Sequence, residues 1–374
     1  MPPAAPPPRQ ITVEVSENGR VTARRDDGKA SADEELRLDA TDSQLLRVWR
    51  KWLTRRPTGW EDEDVAAFGS LLFRALLKRS LWDLVTVTRA RLTDGQSLRL
   101  VLAFAADAQD LAALPWEYLY CPAQTGRAGY FVATEDRVLL SRSVPAAGGG
   151  AVPAVTWPLR VLHVASQPAG VGDVGAADVA RTLAELAAAG VVEVHPLEEP
   201  ATPDAVARAL TAVRPDVLHF LGHGDYEPEA GGRLALVDAA GFPRWLTGRE
   251  VAEVLAGAPP RLVLLQSCVA AREDAAVSYA GTAPQLVRHG LPCVVAMQYA
   301  VTTDVATTFA AEFYRALAET HAVDAATQRA RRYLSGPLSA YHDPRLIGLP
   351  VVYARRAGDA LTMTGAAPAV GGGA

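Results

Sequence analysis

The second half of the chain alternates short apolar runs with longer stretches of helical periodicity. The runs are apolar at successive positions, which is typical of strands buried on both faces of a parallel sheet. Between them, apolar side chains recur every three to four residues, which predicts amphipathic helices. The predicted strands span 159–165, 191–194, 217–221, 262–266, 293–297 and 349–353, and the predicted helices span 176–189, 203–213, 248–255, 275–289, 305–318 and 323–334. A hairpin is also predicted around 234–245. This order predicts an open, doubly wound α/β domain with a mostly parallel sheet and helices on both faces.

The first half of the chain has a different pattern. Residues 11–15 and 20–24 alternate between apolar and polar positions around Glu17-Asn18-Gly19, which predicts a β-hairpin. Helical periodicity follows at 43–53 and 65–84, and strand-like runs follow at 98–104 and 138–141. Strands and helices therefore mix here without regular alternation, as in an α+β unit.

A segment rich in proline, alanine and glycine, from Pro145 to Pro153, separates the two patterns and predicts the main boundary of the chain. The low-complexity ends are expected to be disordered tails. The predicted division is a tail at 1–10, a non-catalytic α+β supporting subdomain at 11–150, the parallel-sheet domain at 155–356 and a second tail at 357–374.

The charge balance narrows the possible partners. The 374 residues include 37 lysines and arginines against 42 aspartates and glutamates, a formal net charge of −5. Proteins that bind nucleic acid directly gain affinity from a basic surface that releases counterions from phosphates, so no direct nucleic-acid ligand is expected. The uncharged apolar runs are well short of the roughly 20 residues that cross a bilayer, so no membrane association is expected.

The cysteines and the first residues indicate a reducing compartment. Cys121, Cys268 and Cys293 are too few for a disulfide framework and lack the CxxC spacing of a zinc site. The opening MPPAAPPPRQ has neither the positive leader nor the apolar core of a secretion signal. We therefore expect a cytoplasmic protein, in which an isolated cysteine is either an inert core thiol or a nucleophile.

Two predicted strands end in reactive residues. The run at 217–221 is followed by Gly222-His223-Gly224, and the run at 262–266 is followed by Ser267-Cys268. Binding sites of open parallel sheets lie outside the carboxyl ends of the strands. If these two strands are neighbours, about 4.8 Å apart, His223 and Cys268 project from the same edge and can approach each other. A thiol beside an imidazole is the minimum for nucleophilic catalysis.

The glycines around His223 add an electrostatic element. A residue without Cβ lets the backbone approach a ligand closely, so the amide of Gly224 can point at a substrate oxygen. Together with the amide of Cys268 it would form an oxyanion hole.

Other candidates are interpreted as structural. A single cysteine in an apolar run is most often a small core side chain, which is the interpretation of Cys121 and Cys293. His219, inside its strand, is interpreted as a core histidine. Glu117 lies in the aromatic segment Leu114-Pro-Trp-Glu-Tyr-Leu-Tyr120, whose aromatic side chains are expected to anchor a packed turn, and it is expected to cap or to pair at an interface.

The pair of motifs, together with its surroundings, resembles the CHAT domain, a caspase-like group of cysteine peptidases. The 45 residues from His223 to Cys268 are close to the roughly 50 that separate the caspase histidine from its cysteine. The second motif reads Gln266-Ser267-Cys268-Val269-Ala270. Further similarity lies in HFLGHG at 219–224, GLPCVVAMQ at 290–298, the helix with Phe313-Tyr314, residues 325–334, LPWE at 114–117 and RVLHVAS at 160–166. The resemblance extends over about residues 95 to 355.

The resemblance implies a caspase-like fold, a His/Cys dyad and peptide hydrolysis without metal or cofactor. Carried onto this sequence, it makes Cys268 the nucleophile, His223 the general base and acid, and the amides of Gly224 and Cys268 the oxyanion donors. Ser267 and Ala270 depart from the caspase signature, so substrate preference is not carried over. The resemblance also implies a protein substrate, a regulatory or sensor protein acting in trans, and a role as an effector in bacterial defence or cell death.

Two other functions stay open. Gly170-Val-Gly-Asp-Val-Gly175 matches the GxGxxG motif of dinucleotide-binding proteins, with Glu198 and Glu199 in the region of a ribose-binding acid. The insertion Ser166-Gln-Pro-Ala169 separates its first glycine from the strand, which favours a loop at the rim of the site instead. The other alternative is a catalytically silent, caspase-like scaffold that binds protein partners.

Two carboxylates are candidates for substrate specificity. Asp173 lies in the first strand-to-helix loop of the second half, and Asp304 follows its fifth strand. Both positions are compatible with a pocket for a basic substrate side chain. Loops and helix N-termini use carboxylates in the same positions, which is the competing interpretation.

Overall fold

A computed structural model describes residues 6–16, 18–36, 38–55, 59–106, 108–124, 126, 128–146, 152, 154–227, 231–266, 281–336, 339–341, 343–355 and 361–363. Its strands are β1 Arg9–Val15, β2 Arg20–Arg25, β3 Ser31–Glu35, β4 Leu98–Phe104, β5 Tyr120–Cys121, β6 Tyr130–Phe131, β7 Val138–Ser143, β8 Leu159–Ala165, β9 Val192–Pro196, β10 Val217–Leu221, β11 Gly224–Glu227, β12 Gly231–Val237, β13 Pro243–Thr247, β14 Leu262–Gln266, β15 Cys293–Met297 and β16 Pro350–Ala354.

The α-helices are α1 Ala40–Arg55, α2 Asp62–Leu76, α3 Arg79–Ala90, α4 Gln109–Ala112, α5 Ala176–Ala188, α6 Pro203–Val213, α7 Gly248–Leu255, α8 Thr282–Arg288, α9 Thr303–Thr320 and α10 Val323–Ser335. Short 3₁₀ helices span Trp116–Tyr118, Val132–Thr134 and Pro344–Gly348. None of the helices in the described ranges is long and apolar enough to cross a membrane.

One large sheet runs through the molecule in the order β3-β2-β1-β4-β7-β16-β15-β14-β10-β8-β9. Its strands are parallel from β9 to β15 and from β16 to β1. They are antiparallel between β15 and β16 and in the meander β1-β2-β3, which contains the predicted hairpin. The small sheet β11-β12-β13 follows β10 in the chain.

Helices cover both faces of the parallel strands. One apolar cluster joins α5, α9 and α10 to residues such as Val161, Val217 and Leu264. A second cluster joins α6, α7 and α8 to the alternate residues of the same strands, such as Leu162 and Val263. Both sides of each strand are therefore buried, which is why these strands are apolar throughout. The predicted fold class, an α/β fold with a mostly parallel sheet, is confirmed.

Local signals place several helix starts. The hydroxyl of Thr202 accepts a hydrogen bond from the amide of Ala205 at the start of α6, and proline follows at the first helical position. Thr247 and Glu250 form a capping box at the start of α7. Because these contacts lie within one turn of the chain, the sequence alone locates these helices.

The helical stretch expected at 65–84 is two helices, α2 and α3, separated by Leu77 and Lys78. The sequence has neither glycine nor proline at the break. The Lys78 ammonium donates to the carbonyl of Glu35 at the end of β3. The turn lets α2 pack beside β5 while α3 packs against β3. The break between α2 and α3 is therefore caused by contacts with distant segments, which the local sequence pattern does not predict. The predicted helix at 275–289 is observed as α8, and its first six positions lie outside the described residues.

The N-terminal half joins the same sheet as the rest of the chain. Strand β7 pairs in parallel with β16, and Arg142 lies beside Tyr353. The buried guanidinium of Arg99 on β4 makes two hydrogen bonds to the carboxylate of Asp324 on α10. This half also has an apolar cluster of its own, which contains residues of β1 and of the Leu114–Tyr120 segment. The division at 11–150 and 155–356 stays a prediction.

A buried ion pair holds the Leu114–Tyr120 segment. The Arg142 guanidinium donates through Nε to Oε1 of Glu117 at 2.8 Å, and it also donates to the carbonyl oxygens of Ala112 and Leu114. The amide of Gln298, directly after β15, donates to Oε2 of Glu117 at 3.1 Å. Glu117 thus forms an ion pair at the interface between the packed turn and β7, as expected, and it links β7 to the loop after β15.

We expect Arg142→Met to lower the free energy of unfolding by about 3 to 5 kcal/mol, because the carboxylate of Glu117 stays buried without its charged partner. The midpoint of urea unfolding measures this loss. Arg249→Met is the matched control, since the Arg249–Glu253 pair is more than half exposed on both sides. It should cost less than about 1 kcal/mol. Equal losses in the two variants would contradict this role of Arg142.

Candidate active site

The two strands that precede the predicted catalytic residues are neighbours. β10 and β14 pair in parallel, from Val217 opposite Leu262 to Leu221 opposite Gln266. The ladder continues beyond β10, because the amide of Gly222 donates to the carbonyl of Gln266 at 3.2 Å. His223 follows Leu221 by two residues, and Cys268 follows Gln266 by two. The condition set by the sequence, adjacent strands with a shared carboxyl edge, is met, although Cys268 itself lies outside the described residues.

Gly222 lies in a position with little room for a side chain, directly before His223. A Cβ atom at this position would lie 2.7 Å from the ring of Phe220 and 3.3 Å from Cβ of Ser166 at the end of β8. A larger residue would therefore have to displace the ring of Phe220. The glycine is needed for space, since its backbone angles are not in the left-handed region.

The imidazole of His223 is oriented by a backbone carbonyl. Its Nε2 lies 2.8 Å from the carbonyl oxygen of Gly172, in the loop between β8 and α5. A carbonyl oxygen only accepts, so Nε2 carries the proton of the neutral ring and Nδ1 is the nitrogen that accepts one. Partial burial lowers the pKa of His223 below its usual value, while the hydrogen bond to Gly172 acts in the opposite direction. The ring is thus held in a neutral, proton-accepting form at neutral pH.

The loop that carries Gly172 is held by its own hydrogen bonds. The amide of Gln167 donates to the same carbonyl of Gly172 at 2.9 Å, and its oxygen accepts from the amide of Val174 at 3.1 Å. The carboxylate of Asp173 accepts from the amide of Gly175 at 3.0 Å. Two amides of the GxGxxG segment are therefore occupied by side chains, and a dinucleotide pyrophosphate would need such groups free. The loop serves the histidine, which favours the interpretation as a rim of the site.

The two candidate specificity carboxylates lie on segments that touch. Asp173 is exposed in the loop, where it also closes the turn onto Gly175, and Asp304 is exposed in the first turn of α9. A Cβ atom on Gly175 would lie 2.4 Å from the hydroxyl of Thr303, so the loop packs against the start of α9. A pocket formed by Asp173 and Asp304 stays a prediction.

Gly224 begins β11, directly after His223. The amide of Ala235 on β12 donates to the carbonyl of His223 at 3.0 Å. Hydrogen-bonded pairs alternate along an antiparallel ladder, so the next pair, Gly224 opposite Leu234, is a position without ladder bonds. The amide of Gly224 therefore points away from β12, as an oxyanion donor requires.

The other cysteines are core side chains. Cys121 and Cys293 are both buried. Burial raises the pKa of the Cys293 thiol well above its usual value, so this thiol stays protonated and unreactive. Among the described residues, no group of three histidine, cysteine or acidic side chains is placed to hold a metal ion.

Two neutral histidines lie below the candidate site. His219 on β10 and His163 on β8 are opposite each other in the parallel register, and both are buried. Burial lowers the pKa of His219 to about 3 and that of His163 to about 4. His219 is a core histidine, as expected. It is hydrogen-bonded to Gln266 and Tyr314, and no local pattern predicts these partners because both are distant in the chain.

We expect the imidazole of His223 to titrate below the usual histidine pKa of about 6.5, because partial burial disfavours its charged form. An NMR titration of the ring protons measures the midpoint, and the signal that disappears in His223→Ala assigns it. A midpoint at or above about 6.5 would contradict the proton-accepting state inferred for this ring.

We expect stability to fall as the pH drops from about 6.5 towards 5. The unfolded chain binds protons on His163 and His219 in this range and the folded chain does not, so the free energy of unfolding decreases with decreasing pH. Each ring contributes a slope of up to about 1.4 kcal/mol per pH unit. Urea unfolding at pH 7, 6 and 5 measures it.

His163→Leu tests this assignment. Nε2 of His163 is buried without a hydrogen-bond partner in the described part of the chain, so an apolar replacement removes a titrating group without breaking a bond at that atom. The variant should be as stable as the wild type at pH 7 and lose less stability by pH 5. An unchanged slope would show that His163 does not titrate as inferred.

Comparisons with known proteins identify the family. The sequence matches the CHAT domain over residues 67–346. A search of the curated proteins finds no sequence match. Among solved structures, the Arg-specific cysteine proteinase gingipain R has 11% identity and a TM-score of 0.46, over 95% of this chain and 78% of that chain. The separase–securin complex of Saccharomyces cerevisiae has 12% identity and a TM-score of 0.43, over 92% of this chain and 30% of that chain. Since the family match covers well over half of the residues, the chain belongs to the CHAT-domain family, which its motifs resemble.

Proposed function

We propose that this protein is a cysteine endopeptidase that hydrolyses peptide bonds of a protein substrate with a His223/Cys268 dyad. The observation that carries the proposal is the parallel register of β10 and β14. The two residues follow opposed positions of adjacent strands by the same number of residues, at the edge where sites of parallel sheets form. Family membership supports the same chemistry.

His223 is suited to the proton transfers of this reaction. Nδ1 of its neutral ring takes the proton of the Cys268 thiol, and the thiolate adds to the carbonyl carbon of the scissile bond. The imidazolium then gives this proton to the leaving nitrogen as the carbon–nitrogen bond breaks. Water, deprotonated by the same ring, hydrolyses the thioester and frees the enzyme. The Gly172 carbonyl supports both directions of transfer, because it holds the ring in one orientation.

The tetrahedral intermediate of each step carries a negative oxygen. We assign its stabilisation to the backbone amides of Gly224 and Cys268. The direction of the Gly224 amide, away from β12, supports this assignment. Asp173 and Asp304 are proposed to contact a basic side chain of the substrate. Their support is the packing of the Asp173 loop against the start of α9, where Asp304 lies.

We also propose that the peptidase is a cytoplasmic effector in bacterial defence or cell death, controlled by a regulatory or sensor protein. This setting rests on membership in the CHAT family and on the charge of the chain. The net charge of −5 favours protein partners over nucleic acid.

Cys268→Ala should abolish hydrolysis, with a loss of at least about 10³-fold, because no other group supplies the attacking sulfur. The measurement is a proteome-wide comparison of new N-termini produced by the wild type and by the variant. Cys121→Ser is the matched control, since Cys121 is buried away from β10 and β14. It should produce the same new N-termini as the wild type.

A labelling experiment separates the enzyme from a silent scaffold. In the peptidase, Cys268 should react with iodoacetamide much faster than Cys293, whose thiol is buried and protonated. Equal labelling of the two cysteines, together with no new N-termini produced by the wild type, would favour the scaffold and exclude the dyad.

A further inference from the structure

A chain of hydrogen bonds runs through the core beneath the candidate site. Nε2 of His219 lies 2.6 Å from Oε1 of Gln266, and Nδ1 of His219 lies 3.2 Å from the hydroxyl of Tyr314. The other amide atom of Gln266, Nε2, donates to the carbonyl of Ala306 at 3.1 Å. All three side chains are 1% exposed or less. We call these three side chains and this carbonyl the buried relay.

The directions of these hydrogen bonds are mutually consistent. The Ala306 carbonyl only accepts, so the amide group of Gln266 donates to it and turns its oxygen towards His219. The imidazole then donates from Nε2, and its Nδ1 accepts the proton of the Tyr314 hydroxyl. Burial lowers the pKa of His219 to about 3, so the neutral ring that this pattern requires is the form present at neutral pH. All of these hydrogen bonds form together only with this one orientation of the Gln266 amide and this one tautomer of His219.

The relay connects three elements whose ends form the candidate site. His219 is on β10, four residues before His223. Gln266 is the last residue of β14, two before Cys268. Ala306 and Tyr314 are on α9, whose start touches the loop that carries Gly172. The relay is therefore positioned to set the end of β14 relative to the histidine strand and the helix.

Packing of the core does not by itself require the buried polar side chains of the relay. The strands on either side are mostly apolar, and burying an imidazole, an amide and a phenol costs stability unless each is hydrogen-bonded. Apolar side chains of similar volume would satisfy packing without that risk. What they would lack is a fixed orientation at Gln266. The property that distinguishes the relay from an apolar core is thus the fixed orientation of the Gln266 side chain.

We propose that His219 is a positioning residue for the reaction, which acts through Gln266 to hold the end of β14 where the thiol of Cys268 meets His223. The inference rests on the proposed function and adds to it a residue that touches neither substrate nor the reacting atoms. Loss of the relay lets the end of β14 shift against β10. A shift of about 1 Å at reacting groups lowers rates by up to about 10²-fold.

The test measures the alkylation rate of Cys268 by iodoacetamide as a function of pH, with the labelled peptide identified by mass spectrometry. The substrate need not be known. In the wild type the midpoint of the rate profile should lie below about 8.5, the value of a free thiol, because the paired imidazole promotes thiolate formation. In His219→Leu the rate at pH 7 should fall by about 10 to 100-fold, and the midpoint should return towards about 8.5.

The conservative variant should rescue the rate. His219→Gln keeps an amide donor at the position of Nε2, and its alkylation rate should stay within about threefold of the wild type. Leu183→Ala is the control for loss of stability, since Leu183 is a buried residue of α5 in the apolar cluster that also contains Tyr314. It should lower the melting temperature and leave the pH midpoint unchanged. If His219→Leu does not fold, Gln266→Met is the second variant: it removes the hydrogen bond between His219 and Gln266 and the one to the Ala306 carbonyl, and it is expected to give the same result.

The outcomes separate the two proposals. A purely structural role for His219 predicts equal or faster alkylation in His219→Leu, because a loosened core exposes the thiol. That result, with a wild-type midpoint below about 8.5, overturns the positioning role alone. A wild-type midpoint at the free-thiol value overturns the dyad itself, and the positioning role with it.

Discussion

The parallel pairing of β10 with β14 is the constraint on which the candidate site depends. The ladder runs from Val217 opposite Leu262 to the hydrogen bond between Gly222 and Gln266, so the two strands end together. A shift of register by one residue would move every side chain to the other face of the sheet. His219 would then leave Gln266, and the segments that follow the two strands would no longer start level with each other. Register therefore sets both the buried relay and the reactive edge.

Charge is distributed differently in the two regions of the core. The buried ion pair of Arg99 with Asp324 joins the N-terminal half to α10, and a second buried ion pair, Arg142 with Glu117, lies within that half. Below the candidate site, by contrast, the buried polar groups are neutral imidazole, amide and phenol. A full charge there would change the electrostatics of a dyad that must exchange a proton near neutral pH. Neutral hydrogen bonds fix geometry and leave the titration of His223 to its own surroundings.

The loop between β8 and α5 shows how a motif takes its meaning from geometry. Its glycine pattern is that of a dinucleotide site, but the amides of Val174 and Gly175 are bonded to nearby side chains. The group it presents to the site is a carbonyl, that of Gly172, and a carbonyl would repel a phosphate while it orients an imidazole. The same glycines thus support a histidine and disfavour a nucleotide.

The sequence by itself determined the elements of the second half and the residues at their ends. Strands at 159–165, 217–221, 262–266 and 293–297 were predicted with their observed bounds, because burial on both faces makes a strand apolar throughout and this pattern is local. Helix caps such as Thr247 were also predicted, because the cap and its partner Glu250 lie within one helical turn. The resemblance to the CHAT domain likewise rested on short motifs, and the family match confirmed it.

Only the tertiary structure decided how these elements meet. The pairing of β7 with β16, which joins both halves into one sheet, and the break between α2 and α3 depend on contacts between distant segments. The Gly172 carbonyl is a backbone group 51 residues from His223, and Gln266 is 47 residues from His219. Hydrophobic periodicity records whether a position is buried, but it does not record which other position lies beside it. That information arises from strand order and register, which exist only once the chain is folded.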